Sequence, residues 1–170
     1  LRAIALLKQR GLHVPLQLPG GGKALHRAPL ERLAAQLGIT EQVQFPGVVG
    51  DVPQRLMSHQ VCVLSTHYEG MPLALLEGMA AGCAVIGSAV PGVREVLHDG
   101  DDGLLVAEGD PQALASVLER LLRHPQEAAR MAANARQAAL TRHSRELMNQ
   151  AYETLFLDLA GQGLARDEAR

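Results

Sequence analysis

Aromatic side chains are almost absent from this chain: two Tyr, two Phe and no Trp in 170 residues. A core must therefore be aliphatic, and a nucleobase finds no Trp or Tyr platform to stack on. Cysteine is scarce too. Cys62 and Cys83 are the only two, too few for a disulfide framework, and a reducing cytoplasm is the expected compartment. No apolar run approaches the ~18 residues that span a bilayer, and no signal peptide opens the sequence. The formal charge of −2 argues against general nucleic-acid binding. Seven scattered histidines show no metal-ligand spacing, and Asp99, Asp101 and Asp102 read as a solvated turn. What is present is 47% hydrophobic and 20% charged residues, the composition of one globular domain that buries roughly 70% of its unfolded surface.

The chain is organised around residues 65–82. Val61-Cys62-Val63-Leu64 is a buried strand ending at Ser65. Pro72 suits the first turn of a helix, and Gly82 suits its left-handed stop. The helix between them is apolar on nearly every side, which predicts burial, yet it carries Glu77. Glu69 stands just before it. The N–H groups around Gly70, Met71 and Leu73 point out of the helix start and form, with its dipole, a site for an anion such as phosphate. Glu77 lies about 7–8 Å further along the axis. An ionised carboxylate only accepts hydrogen bonds, so its natural partner is a pair of neighbouring hydroxyls, such as a ribose diol. A phosphate flanked by two polyols is a nucleotide sugar. The plain alternative is a buried helix with Glu77 turned to solvent.

Glu69-Gly-Met-Pro-Leu-Ala-Leu-Leu-Glu77, followed by Gly78-Met79-Ala80-Ala81-Gly82-Cys83-Ala84-Val85-Ile86, resembles the E-x7-E signature of retaining GT-B glycosyltransferases of glycosyltransferase family 4. The resemblance covers roughly residues 3–155 and places them in the C-terminal, donor-binding domain. It implies that Glu69 contacts the donor hexose, making it the catalytic candidate. The backbone at Gly70, Met71 and Leu73 holds the diphosphate, and Glu77 takes the ribose hydroxyls. The donor is a UDP- or GDP-linked hexose, used without a metal or other cofactor. The acceptor is a glycan or lipid-linked molecule, at the inner face of the membrane in the complete enzyme. Family members also carry a strand and a basic loop ahead of the first helix, and an N-terminal acceptor domain; both are expected to be missing from these 170 residues, so the domain alone should be nearly inactive.

Taken in order, residues 1–11 predict a helix stopped by Gly11, and Val14, Leu16 and Leu18 alternate as a strand that pairs only after Pro15. The turn at Gly21, Gly22 and Lys23 loosely resembles the glycine-rich donor turn of the family; a flexible connection explains it equally, and Lys23 is either a diphosphate partner or solvated. Val43–Val48 resembles the V-x-F-x-G segment near the nucleobase, a role carried onto Pro46, Gly47 and Val48. Ser65 closes the predicted donor set. Asp51 is expected to cap a short helix. Ser88, Pro91 and Gly92 end another strand, where ligands gather in open α/β sheets, although a plain tight turn explains Ser88 as well. Asp110-Pro111 opens a helix, two more follow, and the polar residues 161–170 are expected to form a disordered tail after a domain of residues 1–160.

Strands near 14–18, 43–46, 61–65, 84–88 and 103–106, alternating with helices, predict an α/β fold: a Rossmann-like parallel sheet with helices on both faces, the C-terminal half of a GT-B enzyme. Alternative functions are a non-catalytic nucleotide-sugar-binding or scaffold module, half of a nucleotide-sugar epimerase, or a glycoside hydrolase using both carboxylates.

Overall fold

A computed structural model of the chain describes residues 1–21 and 24–167. The elements are α1 (Arg2–Gln9), β1 (Leu16–Pro19), α2 (Ala24–Gln36), a 3-10 turn (Thr40–Gln42), β2 (Val43–Gly47), α3 (Val52–Met57), β3 (Val61–Leu64), α4 (Leu73–Ala80), β4 (Ala84–Ser88), α5 (Pro91–Val96), β5 (Leu104–Val106), α6 (Pro111–Arg123), α7 (Pro125–Arg142) and α8 (Arg145–Asp167). All five expected strands form, and every ladder is parallel. As Pro15 requires, pairing of β1 begins at Leu16, opposite Val43.

Alternation along β4 shows why helices cover both faces. Ala84 and Ile86 join one core with Ile4 and Leu7 of α1 and Leu118 and Leu121 of α6. Val85, between them, points the other way, into a core with Leu75 and Met79 of α4 and Val93 and Val96 of α5. Successive strand residues face opposite sides, so a strand with all five residues buried needs a helical layer on each side. This is an α/β, Rossmann-like arrangement.

The sheet is divided. β1 pairs with β2, and β3 pairs with β4, which pairs with β5. The chain winds outward from the gap in both directions, β1 to β2 one way and β3 to β5 the other. Residues of β1 and β3 line a common cavity of about 390 Å³, walled by Ile4 of α1 and Leu118 of α6, and by Leu56 of α3 and Ala74 of α4.

Three expectations are corrected. Asp51 stands at the start of α3 but caps no N–H; its carboxylate meets Arg55 instead. Asp102 is only 2% exposed: it accepts the His98 N–H at 2.7 Å and pairs with Arg142 of α7, so this part of the acidic turn is a structural anchor. Asp99 and Asp101 are exposed and also bonded, accepting from the Leu105 N–H and the Asn134 amide. The helix α8 continues past residue 160 to Asp167, where a disordered tail was expected; Gln162, Leu164, Ala165 and Arg166 favour the helix, against the poorer formers Gly161, Gly163 and Asp167. Its stripe of Leu147, Leu155 and Leu159 is exposed. Asp110 does cap α6, accepting from the N–H groups of Gln112 and Ala113 at 2.9 Å.

Candidate functional site

The carboxyl ends of the strands meet on one side of the sheet. Gly20 donates its N–H to Gly47 O at 2.9 Å, tying the end of β1 to the end of β2. Gly47 turns there with φ +76°, a left-handed conformation natural to glycine. A Cβ built on Gly21 would lie 2.8 Å from Val48 Cγ2, so the glycine turn and the Pro46–Val48 segment adjoin. Val48 itself is 83% exposed. Gly22 and Lys23 lie outside the described residues.

Ser65 follows β3 and lines the central cavity. The loop after it is fastened at several points. Thr66 donates its N–H to Ser88 Oγ at 3.0 Å and its hydroxyl to Tyr68 O at 2.9 Å. His67 Nδ1 meets Glu108 Oε1 at 2.6 Å. Glu69 is half-buried and Gly70 exposed. A Cβ on Gly70 would touch nothing within 4 Å, which leaves open approach to its backbone. Among the described residues the N–H groups of Gly70 and Met71 have no partner. Leu73 differs from expectation: its N–H already donates to Met71 O at 2.9 Å. The tight turn around Pro72 consumes that donor, and Gly70 and Met71 are left to meet an anion.

The helix α4 starts at Leu73, with Pro72 as the residue before it rather than inside its first turn. It is not buried on every side. Leu75, Gly78 and Met79 enter the core, while Leu73, Ala74 and Glu77 stay exposed. Uniform apolar composition hides this division. Ala74 and Glu77 face the cavity, alongside Pro19, Val49 and Ser65. Glu77 thus lines the gap between β1 and β3, on the same side as Ser65 at the carboxyl end of β3. Arg55 lines the same space, held by Asp51 and by Gln17 Oε1 at 3.2 Å. Cys62 also lines it, with a thiol whose pKa lies well above the ordinary value. Burial, and after it the charges of Cys83 and Glu77, push it up to about 12.

Residues 1–138 match the family model for glycosyl transferases group 1. The chain belongs to this family. It is 38% identical over 122 residues to a D-inositol 3-phosphate glycosyltransferase of Frankia alni, a match covering 69% of the chain and 29% of that protein. An alpha-D-kanosaminyltransferase of Streptomyces kanamyceticus is 30% identical over 137 residues, 79% of the chain and 35% of the relative. The chain thus spans about a third of these relatives. Among solved structures, Anabaena HepE in complex with UDP-glucose superposes with TM-score 0.79 at 26% identity, over 90% of the chain and 43% of HepE. The sucrose-phosphate synthase of Thermosynechococcus elongatus gives TM-score 0.82 at 27% identity, over 92% and 42%. These matches support the GT-B assignment of the fold.

Sequence reasoning missed the supports of this candidate site. Ser88 is a buried acceptor for the Thr66 N–H, and Glu108, two residues past the end of β5, reaches His67. A strand that ends in serine was the available signal for the first. No local signal marks the second, because the partners are 41 residues apart.

Proposed function

We propose that this group 1 domain is the donor-binding half of a retaining family 4 glycosyltransferase, which moves a hexose from a UDP- or GDP-linked donor to a glycan or lipid-linked acceptor. The observation that carries the reading is that Glu77, exposed beside Ser65 at the carboxyl end of β3, follows on the same helix the N–H groups of Gly70 and Met71, which have no partner among the described residues. In this reading Glu77 accepts from the ribose hydroxyls. Gly70 and Met71 donate to the diphosphate, and Glu69 accepts from the hexose. The N–H groups stabilise charge as the diphosphate leaves, the electrostatic task that fixed dipoles perform well in a site shielded from water.

The chemistry is proposed to need no metal. Magnesium, manganese or EDTA should leave nucleotide affinity of the chain within about twofold; a tenfold gain with metal, about 1.4 kcal/mol, sinks the proposal. The acceptor is proposed to be held by a further, N-terminal domain. The 170 residues alone then bind donor weakly and turn over poorly, and efficient transfer by the purified chain would overturn that. Two unpaired thiols and a nucleotide-sugar donor suit the reducing cytoplasm as the place of action.

Calorimetric titration of UDP and GDP tests the whole reading. One nucleotide should bind the wild-type chain more tightly, and Glu77→Ala should weaken both, because both carry the ribose diol. Equal binding by wild type and Glu77→Ala would remove Glu77 from the site.

A further inference from the structure

The loop that carries Glu69 rests on the corner between β4 and α5. Ser88, at the end of β4, is 4% exposed and accepts the Thr66 N–H. The corner is fixed from behind: Ala89 donates its N–H to Val106 O at 2.8 Å, and Arg94 Nε donates to Ala89 O at 2.9 Å. Gly92, the second residue of α5, is buried directly beneath the loop. A Cβ built on it would lie 2.5 Å from Gly70 O, and closer still to Glu69 O. Gly92 is not among the glycines with positive φ. Its backbone therefore accepts any residue, and what excludes a side chain is the space alone.

Ordinary contact begins near 3.4 Å, so a methyl group here requires the Glu69–Gly70 peptide to retreat by roughly 1 Å, a misplacement that costs on the order of 100-fold at a reacting centre. The loop is the part that gives way, because Val93 and Val96 hold α5 in the core.

We propose that Gly92 is a positioning residue for Glu69. By lacking a side chain it sets how deep the Glu69–Gly70 peptide sits, and so where the Glu69 carboxylate and the Gly70 N–H meet the hexose diphosphate. Ser88 pins the start of the same loop. The proposal rests on the donor reading above for its ligand, and on packing alone for its geometry.

The test compares Gly92→Ala, Ser88→Ala and Gly103→Ala in the 170-residue chain, by amide NMR and by titration of UDP-glucose and UMP. Gly103→Ala is the control for plain overpacking, since its Cβ would meet Leu97 side-chain atoms at 2.9 Å, away from the loop. Gly92→Ala should shift the amides of Thr66–Met71 and weaken UDP-glucose about tenfold or more, the loss of one charge-assisted hydrogen bond. UMP binding, which depends on Glu77, should stay within about twofold. Unmoved loop amides, or a loss of UDP-glucose no greater than in Gly103→Ala, overturn the proposal. Should Gly92→Ala fail to fold, Ser88→Ala decides: undisturbed amides and UDP-glucose affinity in that variant refute the claim that the corner between β4 and α5 positions the loop. Failure of the wild-type chain to take either UDP-glucose or a GDP-linked hexose counts against the donor reading, while the amide shifts still decide whether Gly92 sets the loop.

Discussion

Gly78 of α4 lies directly on Cys62 of β3: a Cβ built on the glycine would stand 2.7 Å from the Cys62 sulfur and 2.8 Å from its Cβ. This close approach brings α4 down onto the sheet and leaves its next-door residue, Glu77, on the cavity wall. Gly78→Ala should therefore cost about 1–3 kcal/mol by overpacking. Thermal melts should show the loss. Nucleotide titration should show weaker binding as well, because lifting the helix moves Glu77.

Asp102 and Arg142 join the turn before β5 to the end of α7, 40 residues apart. Asp102 is almost wholly buried and Arg142 about one-third exposed. Removing the carboxylate strands the His98 N–H and the guanidinium together. Asp102→Ala should lose about 3 kcal/mol, the low end for breaking a buried pair because one partner reaches water. Urea unfolding would measure it; a loss below about 0.5 kcal/mol would place this pair with ordinary surface bridges.

His143, at the end of α7, has a buried Nε2 with no partner among the described residues. Burial first, and the Arg142 and His98 charges after it, hold its pKa below the ordinary 6.5, against an opposing pull from Asp102. The unfolded chain then binds this proton more readily than the folded one. Stability from this group is complete above pH 6.5 and is lost as pH falls toward the lowered value. Melting temperature should drop between pH 7 and 5, and His143→Gln should flatten part of that drop. An unchanged slope in the variant would acquit the histidine.

The fold was readable because its signals are local and redundant. Apolar runs bounded by Pro and Gly mark the strands, and Asp110-Pro111 marks a helix start that forms as read. The lost details depend on partners far away in sequence. Asp102 looks like one acid of a solvated turn until Arg142 arrives from α7. The helix α4 looks apolar all round, and only its packing shows that Ala74 and Glu77 lie on its open side. The donor of Leu73 was lost for a nearer reason: the turn at Pro72 closes on Met71 O, a backbone choice that composition does not display. The site was legible as a set of segments meeting at one sheet edge; which atoms remain free within it was not.

The two carboxylates should separate in a single experiment. Glu77 faces the cavity between β1 and β3, while Glu69 sits before the helix, half-buried and resting on Gly92. If Glu77 holds ribose and Glu69 holds hexose, Glu77→Ala should weaken UDP and UDP-glucose by the same factor, about tenfold or more for a charge-assisted hydrogen bond. Glu69→Ala should leave UDP within about twofold and weaken only UDP-glucose by a similar tenfold. Both side chains are partly or fully open to solvent, so neither change should lower the melting temperature much, and a binding loss reads as lost contact rather than lost fold. The opposite pattern, UDP weakened by Glu69→Ala and untouched by Glu77→Ala, would reverse the donor in its site and place the nucleoside over the loop.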